Sequence, residues 1–83
     1  MATITYINRL KRIDFLVRTR TTGTPSELAA KLGISVRSIY DYINDMRELG
    51  APVVWSNNDR SYVYNEEGRL LISFMSSVLK SDF

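Results

Sequence analysis

Cysteine and histidine are both absent from the 83 residues of this chain. Their absence excludes a disulfide framework, a thiolate nucleophile, an imidazole base and a thiolate or imidazole zinc site. None of the nine acidic residues lies in the alternating Asp/Asn pattern of a calcium-binding loop. We therefore expect no catalytic residues, no metal site and no cofactor, and we do not expect an enzyme.

Long hydrophobic runs are also missing. The N-terminus lacks the basic segment and unbroken apolar stretch of a signal peptide, and residues 70–79 contain three serines and are too few for a membrane span. Together with the lack of cysteine, this predicts a cytoplasmic protein with no membrane partner. The length predicts a single domain over residues 1–75 with a tail at 76–83, and leaves no room for a small-molecule effector domain.

The charge is small but unevenly distributed. The net charge is +2, yet residues 1–22 hold five cationic side chains against the single carboxylate of Asp14, a local charge of +4. The five cations are Arg9, Lys11, Arg12, Arg18 and Arg20. Residues 35–49 hold two arginines and three acidic residues, a local charge of −1. This clustering favours a polyanionic partner, but a solvated helix face explains it equally well.

The first half of the chain has the periodicity of helices. Apolar residues recur at three- and four-residue steps from about residue 3 to residue 19, which predicts an amphipathic helix followed by a polar loop. A second helix is predicted to begin at Pro25, because Thr24 can cap it and Glu27 completes a capping box.

A third helix follows the second after a short turn. Gly33 offers the left-handed residue that ends a helix, and Ser35 can cap the next one, which Gly50 and Pro52 close. The apolar residues of this helix fall at three- and four-residue spacing: Val36, Ile39, Ile43, Met46 and Leu49. Two short helices joined by such a turn form a helix-turn-helix.

After the third helix the pattern changes to strands. Residues 53–56 and 61–64 are rich in strand formers and flank a turn-prone tetrad at 57–60. Antiparallel pairing across this turn places Trp55 opposite Tyr62, a favourable aromatic pair. Residues 69–75 fit a strand or a helix, and we favour a third strand because two close turns indicate a meander.

The predicted fold class is mainly α with a small antiparallel β-sheet: three helices, a β-hairpin and a possible third strand. The predicted core consists of Ile7, Leu10, Leu28, Ala29, Leu32, Ile34, Ile39, Ile43, Met46 and Val54 or its hairpin neighbour.

Residues 25–40, PSELAAKLGISVRSIY, resemble the winged helix-turn-helix domains of bacterial DeoR-type regulators, the biotin-operon repressor and WYL-domain regulators. The similarity continues through residues 45–53 and covers roughly residues 4–65. It implies a transcriptional regulator whose partner is double-stranded DNA and whose hairpin is the wing. Because winged helices also bind proteins, the alternative is an interaction module that docks through the acidic third helix and the apolar C-terminal segment.

The resemblance also implies which residues contact DNA. Carried over by position, the DNA-binding residues are Ser35, Arg37, Ser38, Tyr40, Asp41 and Asn44 of the third helix and Arg60 of the wing. Asp41 departs from the family, which often has arginine there. Its carboxylate faces phosphate unfavourably unless it accepts from a cytosine amine or pairs with Arg37 four residues earlier.

Plainer interpretations of these residues stay open. Arg37 as a solvated arginine, Tyr40 and Tyr42 as packing residues, and Arg60 as a simple turn residue also fit the sequence. Helix-turn-helix proteins usually bind two half-sites, so we also expect a homodimer.

Overall fold

The computed structural model describes residues 2–66 and residue 68. The helices are α1 (Ala2–Arg18), α2 (Pro25–Leu32) and α3 (Val36–Glu48), and the strands are β1 (Val53–Ser56) and β2 (Ser61–Tyr64). The two strands form one antiparallel sheet. The predicted fold class is therefore confirmed. The possible third strand and the tail lie outside the described residues.

Helix α2 begins at the predicted residue because two reciprocal hydrogen bonds between Thr24 and Glu27 cap its first turn. The Thr24 hydroxyl accepts the N–H of Glu27 at 3.2 Å, and Oε1 of Glu27 accepts the N–H of Thr24 at 2.8 Å. These hydrogen bonds from Thr24 favour the ionised carboxylate and lower the pKa of Glu27. Pro25 occupies the first helical position, where its missing N–H removes no bond.

The turn between α2 and α3 also follows the prediction. Gly33 ends α2 with φ at +71°, in the left-handed region that favours glycine. The N–H of Ile34 bonds to the carbonyl of Ala29 at 3.0 Å, and the Ser35 hydroxyl caps α3 by accepting the N–H of Ser38 at 3.1 Å. The two helices therefore form the predicted helix-turn-helix.

The core lies between the three helices and the inner face of the hairpin. Most of the predicted core residues are buried: Leu10, Leu28, Ala29, Ile39, Ile43 and Met46, with Val53 as the hairpin neighbour of Val54. Among the described residues, five further buried apolar or aromatic residues were not in the predicted core, namely Ile13, Val17, Tyr42, Tyr62 and Val63. Tyr42, for which a packing role was an open interpretation, is indeed buried.

Some apolar residues are less buried than their spacing predicted. Leu32 and Ile34 flank the turn after α2 and are half-buried at the rim of the core, and Ile7 is also half-buried. Leu49 is 62% exposed because it is the C-cap of α3, where the chain turns away from the core. Its inclusion in the apolar face of the third helix was therefore wrong.

The hairpin has the predicted register. Trp55 lies opposite Tyr62, with ring centroids 5.3 Å apart at an angle of 77°. Val53 is buried, whereas its neighbour Val54 points to the other face of the sheet and is 38% exposed.

A buried polar cluster that was not predicted fastens the loop after α1 to β2. Thr22 and Ser61 are both fully buried, and the N–H of Thr22 donates to the Ser61 hydroxyl at 3.0 Å. The Thr22 hydroxyl accepts the N–H of Tyr62 at 2.8 Å and lies 2.9 Å from the Ser61 oxygen. The loop is polar, as expected, but its central residue belongs to the interior.

A second polar link joins α1 to β2. Asp14 is buried, accepts the Tyr64 hydroxyl at 2.6 Å and pairs with Arg18 at 3.1 Å. These contacts satisfy the carboxylate, whose burial without partners would be costly. Together the two links fix the hairpin relative to α1.

Candidate nucleic-acid interface

Helix α3 exposes one face along its whole length. Its buried residues occupy the opposite face: Ile39, Tyr42, Ile43 and Met46. The predicted site residues on this helix and at its cap are Ser35, Arg37, Ser38, Tyr40, Asp41 and Asn44, of which Ser38 is half-buried and the others are exposed. The structure thus brings six of the seven predicted residues together on one helix. Arg60 lies apart from them, in the hairpin turn.

Two of these six residues are engaged in capping. The Ser35 hydroxyl accepts the N–H of Ser38 and lies 3.0 Å from the Ser38 hydroxyl. Within residues 2–66, the side chains of Arg37, Tyr40, Asp41 and Asn44 make no hydrogen bond or ion pair. The Arg37 guanidinium and the Asp41 carboxylate are therefore farther apart than an ion pair allows, and the expected intrahelical pair is not formed.

The side of α3 nearest α1 is held by a network that sequence reasoning missed. Tyr6 donates to Oδ2 of Asp45 at 2.6 Å, and its ring stacks on Tyr42 with centroids 5.3 Å apart. Arg9 donates to the Tyr42 hydroxyl at 3.3 Å. The bond to the Asp45 carboxylate raises the pKa of Tyr6 to about 12. No local spacing signals this contact, because 39 residues separate the two partners.

Aromatic residues lie on both α3 and the hairpin: Tyr40 is on the helix, and Trp55 and Tyr62 are on the two strands. Tyr40 and Trp55 are 50% and 38% exposed, whereas Tyr62 is buried and burial raises its pKa. Nε of Arg47 donates to the carbonyl of Val53 at 3.0 Å, which fastens the end of α3 to β1. This arginine of α3 is thus engaged with the backbone.

The hairpin turn is tied to the loop after α1. Asp59 accepts the Ser56 hydroxyl at 3.0 Å and pairs with Arg20 at 2.9 Å. Arg60 follows with φ at +50°, a left-handed conformation that is uncommon for a residue with a Cβ. Its positive charge lies near Glu27 and helps to lower the pKa of that carboxyl. The wing tip is therefore held close to the start of α2.

The cationic residues divide into engaged and unengaged groups. Arg18 pairs with Asp14 and lies 5.8 Å from the centroid of the Phe15 ring, and Arg20 pairs with Asp59. In the part of the chain that the structure describes, the cations without a hydrogen bond or ion pair are Lys11, Arg12, Arg37 and Arg60. Arg37 is the one on the exposed face of α3.

No helix within the described ranges is both long and apolar enough to span a membrane.

A search of curated proteins and a search of solved structures found no significant match. A family profile described as an HTH domain matches residues 8–59, from α1 to the hairpin turn. That family is found in DeoR-type, biotin-operon-repressor-type and WYL-type regulators. The matched region contains both helices of the helix-turn-helix and the first strand of the hairpin, and the chain belongs to this family of DNA-binding helix-turn-helix domains.

Proposed function

We propose that this protein is a sequence-specific transcriptional regulator that reads duplex DNA through α3 and contacts the phosphate backbone through the hairpin wing. The observation that carries the proposal is the row of unengaged side chains on α3. Arginine, asparagine, aspartate and tyrosine can each recognise features of base edges in the major groove. Arg37, Tyr40, Asp41 and Asn44 supply these four side-chain types on a helix of a DNA-binding family.

The N-terminus of α3 supports the same role. Ser35 ends the turn and caps the helix, so the first backbone N–H groups of α3 lie near the exposed end of the helix. Such amides, with the positive end of the helix dipole, favour a phosphate group. The Ser38 hydroxyl lies beside them. Phosphate contacts of this kind position a protein on DNA without specifying the sequence.

Electrostatic attraction has to come from outside α3, because this helix has two arginines against three acidic residues. Arg60 at the wing tip and Lys11 and Arg12 on α1 are exposed and unpaired among the described residues. We propose that Arg60 contacts a phosphate and that the α1 cations attract DNA at longer range.

The test measures binding by fluorescence anisotropy across a salt series. It uses one duplex that the protein has selected from a random library and a second duplex with the same bases in scrambled order. We expect salt-dependent binding of both duplexes and tighter binding of the selected one. Arg37→Ala should weaken binding by about 1–3 kcal/mol, mainly on the selected duplex. Arg12→Ala, which removes the same charge from α1, should affect both duplexes equally.

Asp41→Arg should raise affinity for DNA, whereas Arg37→Ala should lower it. It removes a repulsive charge from α3 and adds an attractive one, so affinity for the scrambled duplex should rise and discrimination should fall. If the parent binds neither duplex at low salt, or if the Arg37 and Asp41 variants bind both like the parent, α3 is not the DNA surface. The protein-interaction function then replaces this proposal.

A further inference from the structure

We propose that the DNA site read by α3 contains a guanine bound by Arg37 and an adenine bound by Asn44 two base pairs away. A cytosine bound by Asp41 lies between them. This inference rests on the proposed function and states which base sequence that function requires.

The spacing follows from the geometry of α3. Arg37 and Asn44 are seven residues apart, so their directions around the helix differ by only ~20°. At about 1.5 Å per residue they are separated by ~10.5 Å along the helix axis. Base pairs rise by about 3.4 Å and rotate by about 36°, so one step along the major groove is about 4.5–5 Å long, and two side chains at this separation reach bases about two base pairs apart when the helix lies along the groove.

The chemistry of the two side chains assigns the bases. A guanidinium donates two parallel bonds to O6 and N7 of guanine, and an amide bonds both to N6 and to N7 of adenine. Both interactions need a side chain whose polar atoms are not already bonded. Arg37 and Asn44 meet this requirement, because within the described part of the chain neither has a hydrogen-bond or ion-pair partner.

Asp41 lies between these two residues and differs in chemistry. It is four residues after Arg37, which places it about 6 Å further along the helix, or roughly one base pair further along the groove. An ionised carboxylate only accepts hydrogen bonds, and the cytosine amine is a major-groove donor that suits it. Since the Arg37–Asp41 ion pair is not formed, the carboxylate is available to this donor. Guanine and thymine present only acceptors in the major groove, and adenine places its N7 acceptor beside its amine, so these bases repel the Asp41 carboxylate and are disfavoured.

Two other charged residues of α3, Asp45 and Arg47, are already bonded. Asp45 accepts the Tyr6 hydroxyl, and Arg47 donates to the Val53 carbonyl. Neither side chain is available for a base without losing that bond. The pattern of base preferences therefore follows from Arg37, Asp41 and Asn44.

The experiment is selection from a duplex library randomised over about two helical turns, with the full chain and single variants. The parent should enrich a guanine and an adenine two base pairs apart with a cytosine between them. Arg37→Ala should lose the guanine preference alone, and Asn44→Ala the adenine preference alone. Each preference corresponds to about 5- to 150-fold in affinity. Asp41→Asn should exchange the cytosine preference for adenine, because an amide replaces the carboxylate.

Arg12→Ala is the control, since it removes a cation from α1 and should leave the enriched sequence unchanged. All these positions are exposed, so circular dichroism melting curves should match the parent. A parent that binds no duplex at any salt concentration overturns the proposed function. A parent that binds and enriches a different pattern, or variants that leave the guanine and adenine preferences unchanged, overturn this inference alone.

Discussion

The Tyr6 hydroxyl donates a 2.6 Å hydrogen bond to Asp45, joining the first turns of α1 to the last turn of α3. The same ring stacks on Tyr42, whose hydroxyl accepts from Arg9. These contacts hold α3 in place from one side and occupy one of its carboxylates. The exposed face of α3 therefore depends on residues at the start of the chain.

This contact predicts a specific pH dependence. The pKa of Tyr6 is raised to about 12 because ionisation would break its bond to the Asp45 carboxylate. A folded-state pKa above the unfolded value of about 10 means that the bond stabilises the fold below pH 10 and stops doing so as pH rises through 12. Tyr6→Phe should therefore be less stable than the parent at pH 8, with the difference shrinking between pH 10 and 12. Urea unfolding across this range measures it, and a constant difference contradicts it.

The loss of unfolding free energy caused by a core substitution should increase with the burial of the residue that is replaced. Leu28 is fully buried, so Leu28→Ala should lower the free energy of unfolding by about 2–5 kcal/mol. Leu32 is half-buried at the rim of the core, and Leu32→Ala should therefore have a smaller effect. Chemical denaturation of both variants measures the order, and an equal or larger effect at Leu32 contradicts it.

The Thr22 hydroxyl should matter more than its size suggests. Thr22→Val preserves shape but leaves the buried N–H of Tyr62 without its acceptor. The free energy of unfolding should fall by about 1–3 kcal/mol. Thr21→Val is the matched control, because Thr21 is exposed and its change should stay within about 0.5 kcal/mol. Equal stability of the two variants contradicts this role of the hydroxyl.

Local patterns predicted the elements that depend on local geometry. The capping box of Thr24 and Glu27, the left-handed Gly33 and the Ser35 cap each act within a few residues, so the sequence shows them directly. The Trp55–Tyr62 pairing follows because a short turn fixes the register of a hairpin. The exposed face of α3 also follows, from the 3.6-residue period.

Contacts between distant polar residues could not be predicted in this way. Thr22, Asp14 and Tyr6 are polar and are usually found at the surface, and their partners lie 39 or more residues away. For the candidate site, the sequence indicated which residues of α3 face outward. It did not indicate which of them are already bonded, because that depends on α1 and the hairpin.

The wing should contribute affinity without sequence preference. Arg60→Ala removes one proposed phosphate contact, so binding should weaken equally on all duplexes and the salt slope should fall by about one unit. Alanine keeps a Cβ at this left-handed position, so backbone strain changes little. Anisotropy across a salt series measures the slope. A loss confined to the selected duplex contradicts a phosphate role.

We expect the protein to form a homodimer. One small helix-turn-helix makes few base contacts, and paired half-sites about one helical turn apart are the usual means of increasing affinity. Residues 70–79 lie outside the described residues, but their sequence is rich in apolar side chains, a composition from which we expect contact with the domain or a second copy. The selected DNA should then contain the base pattern twice. Sedimentation that finds only monomer at high micromolar concentration contradicts the prediction.

The position of Thr22 against β2 has a consequence for association between chains. One edge of β2 pairs with β1, and beside the other edge the Thr22 hydroxyl takes the N–H of Tyr62 while the Thr22 N–H bonds to the Ser61 side chain. An unpaired strand edge is a template on which a second polypeptide can add its own strand. Because the Thr22 hydroxyl already accepts the backbone N–H of Tyr62, that N–H is not free to pair with a strand of a second chain. A single loop residue thus protects this point of the sheet edge against aggregation.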